Sequence, residues 1–399
     1  MPMAAEGRWL RRSLARCSRN TFPCARSEKD KNMLKIDRRL IAHFDWPLLF
    51  AVVALVSVGL LAVLSATHTE ERLVSGIFLR QLAWVAVGSV VMLVMVSFDY
   101  HALDRYAPLV YVFGLVLLSL VPFFGSLGGG AKRWLSVGPF SLQPSEIMKL
   151  AVVVTLASYL QSRVSERSLP TASVLFAGLI AAIPAGIILR QPDLGTALVI
   201  VFLTATILLV VGVSWWWPVG AVVLGSPVLP LLWSHLKPYQ QRRVLMFLNP
   251  ELDPLGSGYH IIQSKIAIGS GMWAGKGFLH GTQYRLNFLP EQHTDFIFSV
   301  FAEEWGFVGA CVLLGLYLFL LYRCSTVVAR ARDTFGVLLA FGITAMLFVQ
   351  VLTNIAMAAG GLPVVGVTLP FLSYGGSSML VCMAGVGVLL NISMRRFLF

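Results

Sequence analysis

The sequence predicts an all-α polytopic membrane protein with about ten transmembrane helices, both termini cytoplasmic and one large outer loop between helices 7 and 8. Three observations lead there. Hydrophobic residues make up 57% of the 399 and charged residues only 13%, far from the balance of water-soluble globular chains. The apolar residues gather in continuous runs of about 18 or more, the length at which a helix crosses a hydrocarbon core about 30 Å thick. Lys and Arg then concentrate on one side of those runs. A transmembrane barrel would need short strands of alternating polarity, which continuous runs are not.

The runs lie at about Trp46 to Ser65, Gln81 to Ser97, Tyr106 to Phe124, Ser145 to Leu160, Thr171 to Leu189, Leu194 to Val213, Trp215 to Trp233, Trp305 to Leu321, Phe335 to Ala359 and Ser377 to Ile392. With the N-terminus inside, the inner side holds Lys35, Arg38, Arg39, Arg105, Arg163, Arg167, Arg323, Arg330, Arg332, Arg395 and Arg396. The short outer loops hold only Arg72, Arg80, Lys132, Arg133 and Arg190, and this asymmetry sets the orientation. The net charge of +12 is therefore mostly a topology signal. Basic residues dispersed among spans and loops argue against a nucleic-acid partner. Trp215-Trp-Trp-Pro218, at a span end, reads as a headgroup-level anchor.

Residues 1–39 lack the apolar core of a cleavable signal, so the first run is expected to direct insertion. Residues 1–32 are basic and Ser-rich and are expected to be disordered; Met33 reads like a natural beginning, and the extension is expected to be dispensable or untranslated. Residues 33–399 then form a single transmembrane domain, with the outer loop at about 235–294. The five cysteines, at 17, 24, 311, 324 and 382, show no close pair and no Cys/His metal spacing, so neither disulfide nor structural zinc is expected.

Sorting the loops by side separates plain ones from informative ones. Inner linkers such as Ser97-Phe-Asp-Tyr-His101 and Gln161 to Arg167 contain no Gly-rich phosphate cradle and no Walker-type lysine, so nothing inside reads as a nucleotide site. The outer side carries Gly128-Gly-Gly-Ala-Lys-Arg-Trp134, Gln143-Pro-Ser-Glu-Ile-Met-Lys149, Arg190-Gln-Pro-Asp-Leu-Gly195, the long loop, and Gly360 through Ser378. Two of these share a grammar, Gln143-Pro144 with Glu146 and Gln191-Pro192 with Asp193, each opening a helix. An acid in the first turn meets the positive end of the helix dipole, so capping is one reading of both. Lys149, however, follows Glu146 at i,i+3 inside an otherwise apolar span, where unpaired charge is expensive. An intramembrane ion pair, functional or structural, is the other reading.

The long loop mixes glycines with Lys265, Lys276 and Arg285, as a surface for an anionic, flexible ligand would, although a solvated glycine-rich loop has the same composition. Ile261 to Ile268 could form a short helix lying against the membrane surface. At its end, Leu289-Pro-Glu-Gln-His-Thr-Asp295 leads into an apolar stretch. Thr294 or Asp295 could cap the next helix. An unbroken helix from Thr294 to Leu321 would be about 42 Å long, more than a vertical span needs, so Gly306 or Gly309 is expected to bend it. Glu303 and Glu304 would then sit about 12 Å deeper than Asp295. Asp295, with His293 and Glu291 beside it and a basic loop adjoining, is either a cap or the reacting acid of a site.

Taken in order, Phe44-Asp-Trp-Pro47, Gln143-Pro-Ser-Glu146, Gln191-Pro-Asp-Leu-Gly195, Leu289 to Phe298 and Ser373-Tyr-Gly-Gly-Ser-Ser378 closely resemble the SEDS family over about Met33 to Phe399. Phe44-Asp-Trp-Pro47 and Glu303-Glu-Trp-Gly306 look more like its elongation branch than its division branch. The resemblance implies a ten-span peptidoglycan glycosyltransferase of the cell inner membrane that polymerises lipid II on the outer face, within an elongation complex and with a class B penicillin-binding protein as transpeptidase partner. It makes Asp295 the catalytic acid, sets Glu146 and Lys149 in the polar cavity, and matches Arg133 and Asp193 to motif positions. No cofactor is evident; a divalent cation could share the diphosphate's charge. The alternatives are a flippase for lipid-linked precursors, a division-specific polymerase, and a scaffold for wall enzymes.

Overall fold

The computed structural model describes residues 44–68, 74–128, 131–137, 140–164, 169–214, 258–285 and 291–395, together with 216, 217, 219, 220 and 241. The N-terminal extension, most of the predicted seventh span and the outer-loop residues 235–240, 242–257 and 286–290 lie outside the described residues. Three helices come first: α1 (Trp46–Ala66), α2 (Gly76–Ser97) and α3 (His101–Phe124). Strands β1 (Ser126–Gly128), β2 (Ala131–Val137) and β3 (Phe140–Leu142) follow. Then come α4 (Pro144–Gln161), α5 (Thr171–Arg190), α6 (Leu194–Val211), α7 (Tyr259–Ser270), α8 (Thr282–Arg285), α9 (Ile297–Arg330), α10 (Thr334–Ala358) and α11 (Gly376–Arg395).

Among the described residues, eight helices are long and apolar enough to cross a membrane: α1, α2, α3, α5, α6, α9, α10 and α11. The predicted fourth span, α4, is helical too, but its charged first turn dilutes its apolar character, and it buries side chains from Pro144 to Leu160 within the bundle. α10 and α11 are buried over 72% and 94% of their apolar windows, against 22% for α2 and α3, so the bundle has a protein-packed centre and a rim left apolar for lipid. Carboxylate and hydroxyl caps start several helices: Asp45 accepts from Leu48 N–H at 3.1 Å, Ser75 from Phe78 N–H at 3.1 Å and Asp333 from Gly336 N–H at 2.8 Å.

Two features depart from a purely helical reading. Between α3 and α4 the chain forms an antiparallel three-stranded meander, with Leu127 opposite Lys132 and Leu135 opposite Leu142. Strands of three, seven and three residues are too short for alternation to stand out beside glycines. The second feature is a break in α9, at the first of the two expected glycines. Gly306 has φ 64° and ψ −164°, a conformation essentially reserved for glycine.

The loop after α7 repairs that break. In an unbroken helix the N–H groups of Phe307 and Val308 would reach the carbonyls of Glu303 and Glu304. Instead they donate to Met272 O at 2.8 Å and Trp273 O at 3.1 Å, while the Glu303 and Glu304 carbonyls accept from Lys276 N–H and Gly277 N–H, each at 3.0 Å. The carboxylates of the same two residues fasten the loop. Glu303, fully buried, accepts from Lys276 Nζ at 2.6 Å and from the N–H of Thr282 at 2.8 Å. Glu304 accepts from Leu279 N–H at 3.1 Å and from the hydroxyl of Ser65 on α1. α7 packs Ile261, Ser264 and Ala267 against α9 and α10, with the Ser264 hydroxyl 2.6 Å from that of Ser299 and from the Ala358 carbonyl. The short helix predicted here exists, resting on protein.

Candidate functional site

The Asp295 turn, residues 291–296, precedes α9 at the end of the bundle that also carries β1–β3, α7 and the α10–α11 connection. The N–H groups of Thr294 and Asp295 both donate to Glu291 O at 3.2 Å, closing the turn. The first carbonyl engaged at the start of α9 is that of Phe296, which accepts from Ser299 at 3.0 Å and Val300 at 3.3 Å. The expectation that Thr294 or Asp295 caps this helix is therefore overturned: the N-cap is Phe296, with no side-chain cap. The reason is that the preceding carbonyls already have donors from elsewhere. Tyr374 N–H donates to His293 O at 2.9 Å, the Ser373 hydroxyl to Thr294 O at 2.6 Å and the Asn354 amide to Asp295 O at 3.0 Å.

Those donors belong to α10 and to the segment that follows it. Residues 359–375 run as irregular backbone into the bundle, burying Leu369, Phe371 and Leu372. Non-helical backbone at such depth requires protein partners for its polar groups. Tyr317 of α9 donates to Pro370 O at 2.6 Å. Gln81 of α2, 1% exposed, donates to Ser373 O and accepts from Gly375 N–H, both at 3.3 Å. Asn354 donates to Val367 O at 2.8 Å. Asp295 itself is half-buried, and a Cβ built on Gly366, which has φ 71°, would stand 3.6 Å from its Oδ2. The carboxylate thus lies over a glycine of the re-entrant segment. His293 packs its ring 5.6 Å from that of Tyr374. Burial lowers the imidazole pKa from 6.5, with Glu291 partly offsetting, so His293 is neutral at neutral pH.

Glu146 and Lys149 form the intramembrane pair that their spacing suggested, Nζ to Oε1 2.7 Å, at 6% and 1% exposure. The shared Gln-Pro grammar divides here. Asp193 does cap α6, accepting from Thr196 N–H at 3.2 Å and its hydroxyl at 2.9 Å, whereas the cap of α4 has no side-chain bond and Glu146 turns to Lys149. Cys382 of α11 stands within electrostatic reach of the pair and 3.9 Å from Gln350 Oε1, and Gln350 lies one turn from Asn354 on α10. A buried polar face of α10 therefore runs from the Asp295 turn toward Glu146 and Lys149.

Arg133, on β2, donates to Gln191 O at 3.2 Å and also to Pro192 O. Gln143 Nε2 donates to Asp193 Oδ2 at 3.3 Å, and Gln143 N–H to Ser377 Oγ at 2.7 Å. Arg133, Asp193, the start of α4 and the start of α11 are thus tied together around backbone groups. Lys265, exposed on α7, passes its side chain across Gly360 at the start of the re-entrant segment. Reading the sequence missed Gln81, Ser373 and Tyr317 as holders of this segment and the pairing of Glu303 with Lys276. The one available signal was the presence of polar residues inside apolar runs.

A family model described as "Cell cycle protein", for FtsW, RodA and SpoVE, matches residues 46–397. The curated "Peptidoglycan glycosyltransferase MrdB" of Escherichia coli (strain K12) is 44% identical over 355 residues, spanning 89% of this chain and 94% of its own. "Peptidoglycan glycosyltransferase RodA" of Treponema pallidum is 34% identical over 431 residues, spanning 90% of this chain and 99% of its own. A solved chain described under "Structural coordination of polymerization and crosslinking by a peptidoglycan synthase complex" superposes with TM-score 0.76 at 35% identity, covering 89% of this chain and 98% of that one.

Proposed function

The chain belongs to the FtsW, RodA and SpoVE family of cell cycle proteins, and on that premise we propose that it is a peptidoglycan glycosyltransferase that polymerises lipid II with Asp295 as general base. The observation that carries the reading is the half-buried Asp295 carboxylate, in a turn held by three donors at the mouth of a re-entrant segment.

A membrane transferase without a nucleotide site needs a donor that arrives activated, and a lipid-linked diphosphate sugar brings both leaving group and membrane attachment. Asp295 takes the proton of the acceptor sugar hydroxyl as its oxygen forms a bond to the donor's anomeric carbon. The bond from that carbon to the diphosphate oxygen breaks, and the lipid diphosphate leaves with the electron pair. One base suffices, because a diphosphate leaves without the second carboxylic acid that glycosidases use. Such a base contributes about 10²- to 10⁴-fold. Cationic groups stabilise the departing charge. Lys265, exposed beside the re-entrant segment, suits that role; Lys149, buried against Glu146, suits shaping of the cavity.

We assign the reaction to the outer face of the cytoplasmic membrane, from the Lys and Arg asymmetry, with a class B penicillin-binding protein supplying cross-linking. The likeness to a chain of a complex that coordinates polymerization and crosslinking supports such a partner. The likeness of Phe44-Asp-Trp-Pro47 and Glu303-Glu-Trp-Gly306 to the elongation branch supports a place in elongation. The test is Asp295→Asn in purified protein supplied with lipid II. The variant is expected to insert normally and make no glycan polymer; polymer of normal length at a normal rate would end the assignment.

A further inference from the structure

The carbonyls of His293, Thr294 and Asp295 precede the hydrogen-bond ladder of α9, yet each has its own external donor. A single bond would keep the turn satisfied on one side only. Three bonds to three consecutive peptide units fix the planes of all three, and with them the direction in which the Asp295 side chain leaves the backbone. The donors are themselves held. Asn354, fully buried, also donates to Val367 O at 2.8 Å, so its amide joins the turn to the re-entrant segment. Ser373 Oγ accepts from Leu369 N–H at 2.9 Å, which directs its own proton toward Thr294 O. Gln81 grips the backbone on either side of Tyr374. The same segment supplies Gly366, whose φ of 71° suits glycine and which lies in contact range of the carboxylate.

We propose that Asn354 and Ser373 are positioning residues for Asp295: by donating to the carbonyls of Asp295 and Thr294 they present the carboxylate to the acceptor hydroxyl in one orientation. The proposal rests on the reading of Asp295 as the base. It explains why an amide stands at 354. Leucine has similar bulk and no donor, and aspartate would set a carboxylate against two carbonyl oxygens. A misplacement of about 1 Å at a reacting group can cost about 100-fold in rate, so loss of either donor should be read in turnover.

The experiment uses the full-length protein in detergent, with lipid II as substrate. Asp295→Asn, Asn354→Leu, Asn354→Asp and Ser373→Ala are compared for kcat per folded molecule, KM and thermal unfolding. Asn354→Leu and Ser373→Ala are expected to lower kcat about 10- to 100-fold with KM within about two-fold of the parent. Should Asn354→Leu fail to fold, Ser373→Ala, which removes only a hydroxyl, carries the same expectation through Thr294 O. Parental kcat in the Asn354 and Ser373 variants, or a loss matching the fall in folded fraction, overturns the proposal while an inactive Asp295→Asn leaves the base in place. An active Asp295→Asn instead removes the reading beneath it.

Discussion

At the end of the bundle where α9 finishes and α10 begins, polar side chains pair mainly with one another. Arg323 reaches both carboxylate oxygens of Asp45 at 2.8 Å, Arg395 meets Asp99 at 3.3 Å, the Tyr100 hydroxyl donates to Asp333, and Ser158 and Gln161 each donate to Asp104 at 2.6 Å. At the Asp295 end, Gln81, Asn354, Ser373, Tyr317, Arg133 and Gln191 all reach backbone groups. The difference follows from chain geometry. At the first end helices start and stop on ordinary caps, and beside the paired side chains Asn391 of α11 closes the end of α2 by donating to the carbonyls of Met95, Val96 and Phe98. At the second the chain leaves regular structure inside the protein, and each buried N–H or C=O left unmatched costs about 1–3 kcal/mol. The site end is thus built by backbone-holding residues, and its damage should exceed that of the paired end.

The sharpest test is Gly306→Ala. Its left-handed backbone strains any L side chain, and the added Cβ would collide with the backbone nitrogen of Gly275 in the repairing loop. Strain of about 1–3 kcal/mol plus that collision predicts the largest loss of stability and, with the Asp295 turn leading into the same helix, loss of polymerisation. Unfolding in detergent close to the parent's would show that the loop is not locked into α9. Gln81→Leu comes next. It leaves Ser373 O and Gly375 N–H unmatched, about 2–6 kcal/mol in all. Turnover should fall with it, because Ser373 holds the Asp295 turn. Arg395→Met, at the paired end, is expected to cost about 1 kcal/mol, since Asp99 is partly exposed and keeps its bonds from His101, and to leave turnover per folded molecule unchanged. A larger loss from Arg395→Met than from Gln81→Leu would reverse the comparison.

The same contrast explains what could be read from the sequence alone. Apolar runs locate α1 to α3, α5, α6 and α9 to α11, and the excess length after Thr294 locates the bend, because both depend on residue type along a continuous stretch. The i,i+3 spacing of Glu146 and Lys149 and the acid at Asp193 are likewise local. Arg133, by contrast, finds its carbonyls 58 and 59 positions away, and Gln81 finds Ser373 at 292. Every residue has a carbonyl, so nothing in the sequence marks which one a buried amide will meet. The paired end was no more legible in detail: Asp45 stood out only as part of a motif, and its partner Arg323 read as a topology charge.

The smallest expected effect separates the two ends by pH. His293, at the site end, has a pKa lowered by burial from 6.5, so between that lowered value and 6.5 the unfolded chain binds more protons than the folded one. Stability then rises with pH through this window, and acidification below 6.5 works against the fold. Asp99, at the paired end, is brought to about 2 despite burial, which alone would raise it, by hydrogen bonds from His101 and the charge of Arg395. Its contribution is present above 3.8 and is lost only as pH falls toward 2. Between pH 7.5 and 5 the Asp99 carboxylate itself should therefore be silent, but its partner His101 is not: against burial, the Asp99 hydrogen bond and the charges of Asp333 and Asp99 raise its pKa above 6.5, so its contribution is present below 6.5 and is lost as pH rises, opposite in sign to that of His293. Unfolding midpoints across that range, compared for the parent, His293→Gln and Asp99→Asn, check this: the rise of stability with pH should flatten in His293→Gln and steepen in Asp99→Asn, where His101 loses its partner. A slope that vanishes in Asp99→Asn would place the acid-sensitive contact at the paired end, where the carboxylates already have partners, and would leave the site end without its neutral imidazole.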